Sequence, residues 1–144
     1  LYYSTNANAE GGTTTDVNGG ASSAGVNGLS PNTTYFFKLR AKNATDFSTF
    51  SNIVQQLTFP ATPTGLAVQG GSVTTTGLTL QWTALGGIDY ELKYSTNPDG
   101  EGGSLVNITA PAAGTATQAI TGLSQNTTYY FKLRAKNATG LSAP

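Results

Sequence analysis

Few residues in this chain are equipped for acid–base or metal chemistry. It has no His and no Cys, which removes the commonest general base, thiolate nucleophiles and Cys-based zinc sites. No Ser stands in a Gly-x-Ser-x-Gly or Ser-x-x-Lys setting, so the usual serine-nucleophile frames are missing. Asp89 and Glu91 alternate onto one face of "IDYELKY", and paired carboxylates can hydrolyse glycosides. Lys93 follows them on that face, and Lys132 and Arg134 are expected on the neighbouring strand, so cross-strand charge pairing is the plainer reading. Asp99 and Glu101 in "NPDGEGG" offer oxygens to Ca²⁺. An equivalent stretch near the start keeps only Glu10, with Asn6 and Asn8, and supplies no closing bidentate Glu, so a solvated hairpin turn is expected. The Gly pairs at Gly70, Gly86 and Gly102 lack the Gly-Lys-Ser/Thr ending of a phosphate loop. The expectation is no catalytic residue, no metal ligand set and no cofactor.

The cations carry more information. Lys38, Arg40 and Lys42 in one stretch and Lys132, Arg134 and Lys136 in another account for every positive charge except Lys93. Alternation places them outward on one type of sheet face, beside Phe36, Tyr130 and Tyr2. Aromatic plus Arg is a combination enriched at protein interfaces, so this face is a candidate surface for a neighbouring chain or a glycan. Lys and Arg on a flat sheet also serve solubility, and single exposed aromatics are ordinary. Asn-x-Ser/Thr sequons at Asn32, Asn43, Asn107, Asn126 and Asn137 are candidate glycosylation sites. Asn and Thr equally serve as turn formers.

Composition sets the class. Apolar residues make up 38% and aromatics 10%, enough for a packed core, while charged residues are only 10%, against roughly 25% in an ordinary soluble domain. The polar surface is instead Thr, Ser, Asn and Gly, which favour strands and tight loops over helices; the chain reads as all-β. Seven Lys plus Arg balance seven Asp plus Glu, so no net basic field recruits nucleic acid. No apolar run approaches the roughly 20 residues that span a bilayer. The start, "LYYSTNANAE", has neither an initiator Met nor a basic n-region, as expected of a fragment or a processed chain.

The elements that must position these residues come in a repeat. "NTTYFFKLRAKNAT" from Asn32 recurs as "NTTYYFKLRAKNAT" from Asn126, differing only at Phe36 and Tyr130. "YSTNANAEGG" at Tyr3 matches "YSTNPDGEGG" at Tyr94. The first copy is three residues shorter between these landmarks, a difference placed in a loop between Gly12 and Gly28. "FPATPTG" punctuates the chain, giving a first domain over residues 1–59 and a second over 60–144. Period-two alternation puts Leu78, Leu80 and Trp82 on one face, then Ile88, Tyr90, Leu92 and Tyr94, then Tyr129, Phe131, Leu133 and Ala135. Tyr35, Phe37, Leu39 and Ala41 repeat the last row.

With its early Pro, "GLAV", the single Trp82, "YELKY", "GLSQNTTYYFKLRAKN" and "NATGLS", the second copy resembles the fibronectin type III family. The first shows Leu29, Pro31, Thr33 and Tyr35 in the same places and "FSNIV" as a last strand. The resemblance implies tandem seven-strand immunoglobulin-like β-sandwiches. Tyr35 and Tyr129 would form corners by bonding backbone a few residues upstream, and Trp82 would fill the core. The first copy lacks its opening strands and the second its last strand, so the inward row Tyr35, Phe37, Leu39 is expected to need cover from adjoining polypeptide. The expected role is that of a secreted or cell-surface structural repeat of a filament, stalk or adhesin, its partners neighbouring copies joined head-to-tail or by strand exchange. The alternative is a spacer or carbohydrate-binding accessory module of a secreted polysaccharide-degrading enzyme.

Overall fold

A computed structural model describes all of residues 1–144. The chain divides into two compact units, Leu1–Phe59 and Pro60–Pro144. Every regular element is a strand, and no helix is long and apolar enough to cross a membrane.

The first unit is one antiparallel sheet. Its strands are β1 (Tyr2–Ser4), β2 (Thr13–Thr14), β3 (Thr34–Lys38) and β4 (Val54–Leu57), in the order β2-β1-β3-β4. Tyr3 pairs with Phe37, and Phe37 in turn with Val54, so these side chains share a face. The rings of Tyr3 and Phe37 stack at 5.9 Å, with Tyr35 6.3 Å from Tyr3. Within this unit no second sheet lies over that face; only Ser4 and Ala9 are buried. Leu39 is 49% exposed. The expected last strand "FSNIV" starts later than the sequence suggests, at Val54, because Ser48 and Ser51 bond the neighbouring segment in place of a regular ladder.

The second unit is a sandwich. Strands β5 (Thr64–Val68), β6 (Gly77–Ala84), β7 (Asp89–Ser95), β8 (Ser104–Ile108), β9 (Gly114–Thr121), β10 (Tyr130–Asn137) and β11 (Gly140–Leu141) form sheets β5-β6-β9 and β11-β10-β7-β8. The alternation of "GLTLQWTA" works as written: Leu80, Trp82 and Ala84 are buried and meet Ala116 and Ile120 from β9. Ile88, Tyr90, Leu92, Leu133 and Ala135 complete the core from the facing sheet. Trp82 and Tyr90 meet edge to face at 5.6 Å, a geometry that adds to burial. The short β11 pairs with Lys136 and Asn137 and is the counterpart of the Lys42–Phe47 bridge of the first unit, not of β4.

Matched residues of the two units differ for a physical reason. β9 exists because β6 supplies eight ladder partners, Gly77 to Ala84. The first unit has no counterpart of β6, and its residues between Thr14 and Thr34 form no strand. A strand without a partner leaves its backbone groups unpaired, so alternation alone does not make one.

Candidate interface face

Two backbone habits bring the cations and aromatics of the first unit together. Tyr2 sits opposite Lys38 across β1 and β3, so both project from the outward face. Beyond β3 the segment Phe47–Ser51 runs beside Leu39–Ala41, bonded through both main chain and side chain. Ser48 N–H donates to Ala41 O at 3.0 Å and Ser51 N–H to Leu39 O at 2.8 Å. In return the Ala41 and Leu39 N–H groups donate to Ser48 Oγ and Ser51 Oγ, at 2.9 and 3.0 Å. The serines recur every third residue, and so do Phe47 and Phe50, which fall on the outward side.

The result is a ladder of alternating cations and rings. The Arg40 guanidinium carbon lies 3.8 Å from the Phe47 ring centre, 4.9 Å from Phe50 and 5.1 Å from Tyr2. Its Nη2 donates to Tyr2 Oη. Lys38 Nζ lies 4.4 Å from the Phe50 ring and Lys42 Nζ 5.7 Å from Phe47. Lys38 also donates to Asn8 O at 3.0 Å and has Glu10 at 3.7 Å. Each cation–ring contact contributes about 0.5–2 kcal/mol, more as the pair is desolvated. Phe36 stands opposite Ser4, on the outward face and half-buried.

The equivalent face of the second unit is held by carboxylates instead. Glu101 receives Lys93 and Lys132, both at 3.0 Å, and Glu91 receives Lys136 at 3.0 Å. Cross-strand charge pairing between β7 and β10 is present at Glu91, with a different partner from those expected. Glu91 pairs with Lys136, not with Lys93 or Lys132, and Asp89 accepts the Ala110 N–H at 2.9 Å in place of a cation. Glu101 stands on the solvated turn, where the Lys132 and Lys93 ammonium groups hold its carboxyl down to about 2, from an ordinary 4.5. Asp99 accepts the Glu101 N–H at 2.8 Å, which ties the turn together. Arg134 faces Glu91 in register, and Tyr130 is exposed opposite Ser95. Leu141 lies beside Lys136 on the same strand pair, so no ring separates the cations there.

Sequence alternation placed Tyr2, Phe36, Lys38, Arg40, Lys42, Tyr130, Lys132, Arg134 and Lys136 outward and missed Phe47 and Phe50. Their signal is the spacing of "FSTFS", a period of three that matches neither strand nor helix.

The remaining singled-out residues serve the backbone. The Ser30 N–H donates to Tyr35 Oη and the Ser124 N–H to Tyr129 Oη, each at 3.1 Å. The Ser124 contact holds the Tyr129 phenol below its ordinary range. Asn32 and Asn126 adopt left-handed φ of 47° and 51°, a conformation Asn tolerates in tight turns. Asn43 Oδ1 accepts the Thr45 and Asp46 N–H groups, and Asn137 Oδ1 accepts those of Thr139 and Gly140. Asn107 lies exposed within β8, opposite Glu91.

Residues 61–144 match the fibronectin type III domain family. Chitinase A1 of Niallia circulans is 35% identical over 130 residues, a match covering 81% of this chain. The chain spans 17% of that protein's length. Among solved structures, a segment of two fibronectin type III domains from chicken tenascin superimposes with a TM-score of 0.59. That match covers 81% of this chain and 64% of the tenascin chain at 18% identity, a likeness of fold alone.

Proposed function

This chain belongs to the fibronectin type III family, and on that premise we propose that it is a non-catalytic spacer or accessory module of a secreted polysaccharide-degrading protein. The single observation that carries this is the 35% identity to a chitinase of which the chain matches only a small share of the length. Domains of this family are generally non-catalytic, and the carboxylates of Glu91 and Asp89 are engaged by Lys136 and by the Ala110 N–H. Work by such a module is geometric: it holds other domains at a set reach, and its cation–ring face lies along polymer. The test is to join a glycoside hydrolase catalytic domain to a polysaccharide-binding domain through this chain, and through a flexible Gly/Ser linker of matched reach. Faster hydrolysis of insoluble polymer through the chain is expected, with soluble oligosaccharide unaffected. Equal rates on insoluble polymer would remove the reading.

A second reading, a filament, stalk or adhesin shaft built from neighbouring copies, draws on a different observation. The ring trio Tyr3, Tyr35 and Phe37 has no second sheet over it within its unit, whereas Tyr94, Tyr129 and Phe131 sit against one. Half-exposed aromatic surface of this kind favours association. Electron microscopy over a concentration series tests it: linear particles are expected, and monomers at every concentration would end it.

A further inference from the structure

The sheet β5-β6-β9 has two edges, and only one of them is guarded. On β5 the register shifts between Thr64 and Ala67, where Gly65 takes a left-handed φ of 71°, and Pro63 stands just before the strand. A bulge and a Pro both discourage a further strand from pairing. On β9 the eight residues Gly114–Thr121 run in unbroken register with β6 and include no charged residue, no Pro and no bulge. No strand lies on its outer side.

The pairing fixes which groups face that open side. Thr79 O accepts the Gln69 N–H at 2.8 Å, so the main chain of Thr79 points to β5, and that of its partner Ala119 points away from β6. By alternation the N–H and C=O groups of Thr115, Thr117 and Thr121 point the same way as those of Ala119. The side chains of these residues are exposed on the outward face of the sheet. Gln118 stands opposite the buried Leu80, so its side chain leaves from the core-facing side. From there Gln118 Nε2 donates to Ala119 O at 2.9 Å, engaging one of the edge acceptors.

We propose that the outer edge of β9 is a self-pairing site and that its occupant is β9 of a second copy of this chain, antiparallel about a two-fold axis at Gln118. This register sets Thr115 opposite Thr121 and Thr117 opposite Ala119 of the other copy, and gives every outward main-chain group of both strands a partner. A slip by one residue would put facing side chains on opposite faces, and a slip by two would leave an end pair unmatched. The strand is its own complement. No like charges are opposed, Thr meets Thr across the strands, and the two Gln118 side chains come together on the core-facing side, where their amides bond each other and release Ala119 O. The contact is isologous, so it closes with two copies. It extends sideways from a single unit and rests on neither reading of the protein given above.

The chain has no Cys, so one substitution makes a symmetric disulfide trap. At the two-fold axis Gln118 meets its own copy as a non-hydrogen-bonded pair, about 4.5 Å apart between Cα atoms, within disulfide reach. The two Thr117 residues are offset by two positions along the strands and lie beyond that reach. On separate chains the order of reactivity is the reverse, because Thr117 is exposed and Gln118 half-buried. In a glutathione buffer at equal chain concentration, Gln118→Cys is expected to form the cross-linked dimer about a hundredfold faster than Thr117→Cys. Equal rates, or a faster reaction at Thr117→Cys, overturn the proposal. Adding Thr117→Pro to Gln118→Cys deletes an outward N–H that β6 does not use and is expected to remove the excess, while the fluorescence of Trp82 reports that the unit stays folded. Thr117→Lys sets like charges across the joint and is expected to do the same without altering the main chain. An excess that survives both substitutions in folded chains also overturns the proposal.

Discussion

Two residues carry separable energies. Tyr129 Oη accepts the Ser124 N–H at 3.1 Å, and removing that acceptor in Tyr129→Phe is expected to cost about 1 kcal/mol. Trp82, the only Trp, lies in the core of the same unit, so its fluorescence in a denaturant titration reads the loss. Tyr35→Phe removes the matching bond from the other unit and should leave the Trp82 midpoint unchanged. Glu101 gives a pH signature. Its folded value of about 2 lies below its ordinary 4.5, so its two ion pairs stabilise above about pH 4.5 and that contribution is lost as pH falls toward 2. Glu101→Gln should therefore flatten the fall of the thermal midpoint across that window. The difference should shrink in high salt, since the carboxylate is 42% exposed. The roles of Tyr35, Tyr129 and Trp82 were legible from alternation and family likeness. The partners of Glu101 were not, because a turn residue's reach across two strands depends on where the hairpin folds back.

At the level of elements, each hairpin from Tyr3 or Tyr94 depends on a close backbone approach. A Cβ on Gly103 would stand 2.0 Å from Tyr94 O, and one on Gly12 2.1 Å from Tyr3 O. Gly103→Ala must push β8 off β7, at a cost of about 1–3 kcal/mol by the usual penalty for overpacking. Chemical denaturation followed at Trp82 measures it; an unchanged midpoint would show that the hairpin yields freely. The equivalent "EGG" turns were visible in the sequence as punctuation, although the reason for the second Gly was not. The late start of β4 was equally hidden. "FSNIV" has strand composition, yet side-chain hydroxyls of Ser48 and Ser51 take the N–H groups that a regular ladder would use. Local hydroxyls competing with the main chain in this way escape any count of β-formers.

Across the whole molecule, near-identical sequence is expected to have unequal stability. Leu39 and Leu133 occupy matched places in the repeat, but Leu39 is largely exposed and Leu133 is buried. Leu133→Ala should cost about 2–5 kcal/mol, and Leu39→Ala within about 0.5 kcal/mol, as for an ordinary surface site. Hydrogen exchange adds a map: amides of β6, β9 and β10 should be the last to exchange, and those of β3 and β4 among the first, because few buried contacts hold them. Equal protection in the two units would show that the open face of the first is covered in solution.

The sequence by itself determined the all-β class, the repeat, the period-two strands and the identity of the inward rows, because these depend on residues a few positions apart. Only the tertiary structure decided which carboxylate meets which ammonium, and that Phe47 and Phe50 both come up to the Arg40 guanidinium. Those outcomes depend on what lies opposite a strand, and a sheet brings that opposite partner from far along the chain or does not bring it at all. The same letters at Tyr35 and Tyr129 thus lie in an open sheet and in a closed sandwich, the difference being the presence of β5, β6 and β9 across from one of them.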